Sequence, residues 1–320
     1  MPIVTSKFKP AWWLKNPHLQ TIWPTLFRAR PKLSLLKERV ELEDGDFIDL
    51  SWSGPIGAPV VLILHGLEGS LASPYAFGLI NTLTSAGFRA CFMHFRSCSG
   101  EPNRLPRGYH SGETDDLQLI VEHIKHLINT RFHAVIGYSL GGNVLLKWLG
   151  EKDRSADVHC AIAVSVPFEL AHAGQRLEKG ISRLYQKHLV SRLIKKYKHK
   201  QKQYPSLAQI KLDKIKTFYE FDDQVTAPLH GFNGADDYYQ KCSSVHFLKS
   251  IKQPTLIIHA KDDPFMWENT SPSESTLSTT TTLELSNNGG HAGFISGSIP
   301  FYPIYWHEKR ILNWLKEVNA

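Results

Sequence analysis

"HAVIGYSLGGNVLLKWLG", residues 133–150, begins as an apolar run and ends with apolar residues at helical spacing. The junction falls on Gly137-Tyr138-Ser139-Leu140-Gly141, a serine with a glycine two places away on either side. A strand that turns into a helix on such a serine holds it at the top of a sheet. There it sits in a strained backbone conformation with its hydroxyl exposed. The glycines are needed because a side chain at either place would meet the neighbouring strand or helix. The helix N-terminus that follows offers free N–H groups and the positive end of a dipole. Out of context the pattern is a turn of small residues. Between a strand and a helix it makes Ser139 a candidate nucleophile.

Outward from this stretch, similar apolar runs recur: "VVLILH" (60–65), "RACFMHF" (89–95), "CAIAVSV" (160–166), "PTLIIHA" (254–260) and "TTLELS" (281–286). Near-continuous apolar strands are those buried on both faces. Helical patterns such as "AFGLINTLTSAG" and "DDLQLIVEHIKHLI" stand between the earlier runs. This alternation predicts a mostly parallel sheet flanked by helices. Residues 37–54 alternate polar and apolar around Asp44-Gly45 and predict a β-hairpin. The alternation breaks between Pro167 and Lys252, where no buried strand is evident. The expected organisation is an N-terminal arm (1–36) packed on the body, a core (37–166 and 253–320), and a helical cap (167–252) over the carboxyl ends of the strands.

A serine nucleophile needs a base to take its proton and a carboxylate to orient that base. Lys261-Asp262-Asp263-Pro264 follows the 254–260 strand, and Asn287 to Phe294, with His291 crowded by glycines, follows the 281–286 strand. Serine, then aspartate, then histidine, each in a loop after a successive strand, is the chain order of α/β-hydrolases. In that fold the acid lies three residues after the small residue closing the strand, so from Ala260 the choice is Asp263. Asp262 is then left as a turn or cap residue. The oxyanion hole needs two converging N–H donors. Leu140, directly after the nucleophile, supplies one; Leu67, in "HGLEGS" (65–70), supplies the other. Glu68 beside it reads as a solvated acid, and His259, inside a strand, as structural. His18, His94 and His110 have no partner that can be named from order in the chain.

"NPHLQT" (16–21), "HGLEGS", "FRSCSGEPN" (95–103), "GYSLGGN" (137–143), "FDDQVTAPLHGF" (221–232) and "KDDPF" (261–265) together resemble the YheT-like branch of the α/β-hydrolases, over about Asn16 to Trp314. The resemblance implies a serine esterase with a cap, acting on carboxylic esters. Its eukaryotic relatives take medium-chain acyl esters and phospholipids. It also implies Ser139 as nucleophile, Asp263 as acid and His291 as base, with neither metal nor cofactor. One departure is Ser97, where the pattern has glycine; beside the expected site, it would narrow the pocket or change nothing. "NPHLQT" acquires no chemistry from the resemblance. Asn-Pro favours a turn, and His18 reads as a structural hydrogen-bonder.

Composition bounds these expectations. The 320 residues are 42% hydrophobic and 21% charged, an ordinary globular balance. Cys91, Cys98, Cys160 and Cys242 make neither a metal spacing nor a disulfide framework, which points to a reducing compartment. With no apolar run of signal-peptide or membrane-span kind, the reading is cytoplasmic. The net charge of +7 is uneven: residues 176–216 hold 13 Lys or Arg against two acids, leaving about −4 elsewhere. That excludes a whole-protein nucleic-acid signature. Within the basic segment, Ile181, Leu184, Tyr185, His188, Leu189, Leu193, Ile194 and Tyr197 form an apolar stripe opposite Lys187, Arg192, Lys195, Lys196 and Lys198. Such a helix packs its stripe on the core with its lysines solvated, or rests weakly on an anionic membrane. The ester, lipid or small-molecule, is the expected partner; oligomeric state is not legible.

Overall fold

The computed structural model describes residues 2–128, 132–151, 157–207 and 210–318. In chain order the elements are β1 (Ile3–Thr5), α1 (Pro17–Phe27), β2 (Leu36–Glu41), β3 (Phe47–Ser53), β4 (Val60–Leu64), α2 (Ala76–Ser85) and β5 (Arg89–Met93). Then follow α3 (Thr114–Leu127), β6 (Phe132–Tyr138), α4 (Leu140–Gly150), β7 (Cys160–Val164), α5 (Leu170–Leu177), α6 (Ser182–Gln203), α7 (Phe218–Phe221), α8 (Ala227–Leu229) and α9 (Ala235–Cys242). The chain closes with β8 (Thr255–Ala260), β9 (Thr281–Ser286), β10 (Ile295–Ser296), β11 (Ile304–Tyr305) and α10 (Trp306–Glu317).

Among the described residues one sheet runs β1-β9-β8-β7-β6-β4-β5-β3-β2. Its β2–β3 and β3–β5 pairs are antiparallel and the rest parallel. Every residue of β4, β6, β7 and β8 is buried, as covered parallel strands require. Leu117 and Ile120 of α3, with Val144 and Trp148 of α4, pack on one face of the sheet; Leu79 and Leu83 of α2, with Ile311 and Leu315 of α10, pack on the other. Each such side chain contributes about 1.5–3 kcal/mol of burial. The edge strand β1 has only three residues, too few to show a period, and it pairs with Leu283–Leu285.

Between β7 and β8 the described residues hold helices and turns with no strand. The long helix α6 is seated a little differently from its apolar stripe. Ile181 and Leu184 are exposed, and the buried positions are Ser182, Gln186, Val190, Tyr197 and Lys200. Polar anchors explain the rotation. The Ser182 hydroxyl donates to the Pro264 carbonyl at 2.7 Å, the Gln186 side-chain oxygen accepts from Phe218 N, and Lys200 Nζ donates to the Asn103 carbonyl at 2.7 Å. Lys196 is also turned inward, onto Glu68 at 2.7 Å. Glu68 is therefore no solvated acid: it is 3% exposed and bonded to Lys196 and Tyr109. Its counterion lies 128 residues away in the chain, where no local reading finds it.

Candidate active site

Steric packing explains the elbow. A Cβ on Gly137 would lie 2.4 Å from the Gly141 carbonyl oxygen, and one on Gly141 would lie 2.5 Å from that of His65. Both clashes are with backbone, which cannot yield. Ser139 between them has φ +51° and ψ −118°, a left-handed conformation costly for a residue with a side chain. Its N–H is tied to the Val164 carbonyl at 2.8 Å, which fixes the turn against β7.

The His291 ring reaches this serine from the loop after β9. Its Nε2 lies 3.0 Å from Ser139 Oγ and its Nδ1 lies 2.8 Å from Asp263 Oδ2. An ionised carboxylate only accepts, so the Nδ1–H donates to Asp263 and leaves Nε2 to accept from the serine hydroxyl. Asp263 is 2% exposed, and its other oxygen accepts from Phe265 N. The Phe265 ring stacks on the imidazole, centroids 3.9 Å apart and planes within 2°. Asp262 stands aside: its oxygens accept from Gly290 N and Asn288 Nδ2, shaping the histidine loop instead of touching the ring.

The loop after β4 lies against the serine; a Cβ on Gly66 would come 3.2 Å from Ser139 Cβ. In that loop Gly66 N donates to the Tyr75 hydroxyl, Glu68 N to the Tyr109 hydroxyl and Gly69 N to the Gly66 carbonyl. No acceptor among the described residues takes the Leu67 N–H. Leu140, at the first turn of α4, likewise has no intrahelical acceptor for its N–H. His65 fixes the loop from below. Burial pushes its pKa down to about 3; neutral, it accepts from Phe95 N at Nε2 and donates from Nδ1 to the Gly66 carbonyl.

"NPHLQT" proves to hold the histidine loop. Asn16 caps α1 through its side chain. Thr21 Oγ1 accepts from His291 N at 2.9 Å. The Gln20 amide, fully buried, donates to the Leu14 and Ile295 carbonyls and accepts from Ile295 N. Packing is so close that a Cβ on Gly293 would meet the Gln20 carbonyl oxygen at 2.3 Å. His18 bonds the hydroxyl of Tyr185 on α6 at 3.1 Å. Only contacts across most of the chain reveal these roles.

Ser139, Leu140, Leu67 and His291 line one cavity of about 90 Å³, whose other walls include Leu170, Leu177, Leu189, Phe265 and Met266. Asp222, from "FDDQVTAPLHGF", also lines this cavity. Burial pushes its pKa up to about 6, against hydrogen bonds from Thr226 and Tyr239. It belongs to a π-helical turn, Asp222–Thr226, a distortion frequent at functional sites. Asp223, next to it, bonds Ala235 N. A larger cavity, about 470 Å³, lies beyond the Glu68–Lys196 pair. Ser97 lines this one and not the cavity of Ser139, so it does not narrow the site. Its φ of +60° accounts for the glycine of the family pattern. One set of possible metal ligands, His110, Glu113 and His230, gathers within 4.8 Å among the described residues. Arg107 already occupies Glu113 at 2.7 Å and, with Lys147, makes the surroundings unfavourable to a further cation.

The α/β hydrolase fold family profile matches residues 59–298. The chain belongs to that family. Within the family it falls in the branch of Escherichia coli YheT, a protein provisionally named as an esterase. The two are 43% identical over 318 residues, 97% of this chain and 93% of that protein. Mouse phospholipase ABHD3 is 28% identical over 316 residues, 93% of this chain and 76% of that protein. Among solved structures, the Pyrococcus furiosus esterase Pf2001 superposes with a TM-score of 0.60 at 18% identity, covering 90% of this chain and 92% of that one. That last likeness is one of fold.

Proposed function

We propose that this chain is a serine hydrolase that cleaves carboxylic esters of short- to medium-chain acids through an acyl-enzyme. The observation that carries the reading is the unbroken series Ser139 Oγ, His291 Nε2, His291 Nδ1, Asp263 Oδ2, with links of 3.0 and 2.8 Å. Ser139 attacks the ester carbonyl as His291 takes its proton. Asp263 holds the ring in the required tautomer and stabilises the imidazolium. The N–H groups of Leu67 and Leu140 bind the oxyanion. The imidazolium then protonates the leaving alkoxide, and a water deprotonated by His291 releases the acid. An alcohol entering in place of that water would make the enzyme an acyltransferase with the same residues.

The esterase and phospholipase names of the relatives support ester substrates, and the apolar wall supports an acyl chain. The four free, buried cysteines favour a reducing, cytoplasmic setting. No helix among the described residues is long and apolar enough to cross a membrane. The test is hydrolysis of p-nitrophenyl esters of two to sixteen acyl carbons by the wild type and Ser139→Ala. Turnover peaking at short or medium chains and abolished in the variant is the expected result. Equal turnover by both proteins would refute the assignment of Ser139.

A further inference from the structure

Helix α1, "PHLQTIWPTLF", carries no charged residue and leaves apolar side chains exposed on the side away from the body. Pro17, Gln20, Thr21 and Pro24 share the face turned to the body, where Gln20 and Thr21 bond the 291–295 loop. Leu19 and Leu26, seven residues apart, lie on the far side, 52% and 65% exposed, and Phe27, the last residue of the helix, is 62% exposed. An amphipathic helix normally turns its apolar stripe to the core; this one turns Gln20 and Thr21 inward and leaves Leu19 and Leu26 uncovered.

The uncovered face continues onto a neighbouring segment. Trp23 packs on Trp13, Phe27 and Phe301, with ring centroids 4.4 to 5.9 Å apart. Phe301 and Tyr302 are each 74% exposed. Trp12, also exposed, is tied to the same segment by its indole N–H on the Ser298 carbonyl. Eight of the seventeen large apolar side chains exposed among the described residues fall in residues 12–27 and 299–304. Such concentration marks a contact surface and not scattered apolar residues.

Charge selects the occupant. Residues 1–37 contain seven Lys or Arg and no acid, and residues 286–305 contain no acid either. Lys9, Lys15, Arg30 and Lys32 are outside the apolar face, near its ends in sequence. The His18–Tyr185 contact brings α1 against α6, whose Arg183, Lys187, Lys195 and Lys198 are exposed. Tryptophan, phenylalanine and leucine flanked in sequence by exposed cations, with the neighbouring Glu308 already paired to Arg28, match the headgroup boundary of an anionic bilayer. We propose that the α1 face and residues 298–304 dock this protein on an anionic phospholipid surface. The lipid contact centres on this aromatic patch, and the basic face of α6 only flanks it. The reverse side of the docked helix holds the His291 loop, so docking sets the candidate site beside the lipid.

The test is co-sedimentation with sucrose-loaded vesicles of phosphatidylcholine, alone and with 30% phosphatidylglycerol, at low and high salt. The wild type is expected to bind the anionic vesicles and to lose affinity as salt rises. Leu26→Ser combined with Phe301→Ser should weaken binding about tenfold or more, since each removes an apolar side chain from the boundary. Lys15→Glu, which leaves the apolar face intact, should weaken it about fivefold. The circular dichroism melt of each variant checks its fold. Failure of the wild type to bind either vesicle overturns the proposal. So does binding that survives these substitutions but is lost in Lys187→Glu/Lys198→Glu, or self-association through the patch without vesicle binding. Turnover of soluble esters is read separately, so none of these outcomes bears on the role of Ser139.

Discussion

The two sides of the candidate site are held in opposite ways. Ser139 is fixed by its near neighbours: glycines two residues away, the strand before it, the helix after it, and adjacent strands β4 and β7. His291 is held by residues about 270 positions earlier, through Thr21 on its own N–H and Gln20 on Ile295. A candidate nucleophile held locally is a property of a short stretch of sequence. A candidate base held from afar is a property of the completed fold, and can be displaced without touching Ser139, Asp263 or His291 itself.

The largest expected effect tests the histidine side at its carboxylate. Asp263→Asn should lower kcat by about 10⁴, because the amide favours the wrong imidazole tautomer. Asp262→Asn, acting only on the loop, should stay within about tenfold. Steady-state kinetics on one soluble ester separates the two; equal losses would contradict the assignment of Asp263. Next in size is Gly141→Ala. Its methyl group would collide with two carbonyl oxygens at 2.5 and 2.7 Å, and stability should fall by about 3 kcal/mol or more in urea unfolding.

The distant side should break more gently. Gln20→Ala leaves two buried carbonyls and a buried N–H without their partner, costing about 2–3 kcal/mol. By loosening the His291 loop it should lower kcat between about tenfold and 100-fold with KM little changed. Gln20→Glu cannot donate and should fail to restore the rate. A loss confined to stability would mean that the clamp is only structural.

The smallest effect concerns Asp222. Its folded pKa, about 6, lies above that of an unfolded aspartate, so the folded state holds the proton more tightly. Its contribution to stability is therefore fully present below the unfolded pKa, and is lost as pH rises through 6. In Asp222→Asn that loss should vanish. The stability of the variant relative to the wild type should rise by about 2 kcal/mol between pH 4 and pH 7.5. A difference that does not change with pH would show that the carboxyl titrates alike in both states.

Legibility followed the range of the contacts. The parallel strands, the hairpin and the elbow were readable because each rests on local periodicity or on a few neighbouring residues. A strand end fixes a spacing, and that spacing singles out Asp263, whose carboxylate lies 2.8 Å from His291 Nδ1. The function of "NPHLQT", the burial of Glu68 and the inward turn of Lys196 and Lys200 were not legible. Each is polar, and polar residues are predicted to face water unless their partners are known. Those partners are Ile295, Lys196, Tyr109 and the 103–105 carbonyls, all distant in the chain. The stripe on α6 was misplaced for the same reason: Ser182, Gln186 and Lys200 are buried by hydrogen bonds that a count of apolar residues ignores.

The pairing of β1 with β9 bears on how the molecule is made. Ser6 bonds Glu284, Gln20 bonds Ile295 and Arg28 bonds Glu308, each across 275 to 280 residues. On the ribosome the first of these partners emerges long before the second. Residues 3–28 must wait, unpaired and rich in tryptophan, while nearly the whole sheet is assembled. The elbow can be in place early, but the histidine that would make its serine reactive is seated only after the last strand of the main sheet arrives. The contact between Ser139 and His291 can therefore form only when synthesis is almost complete.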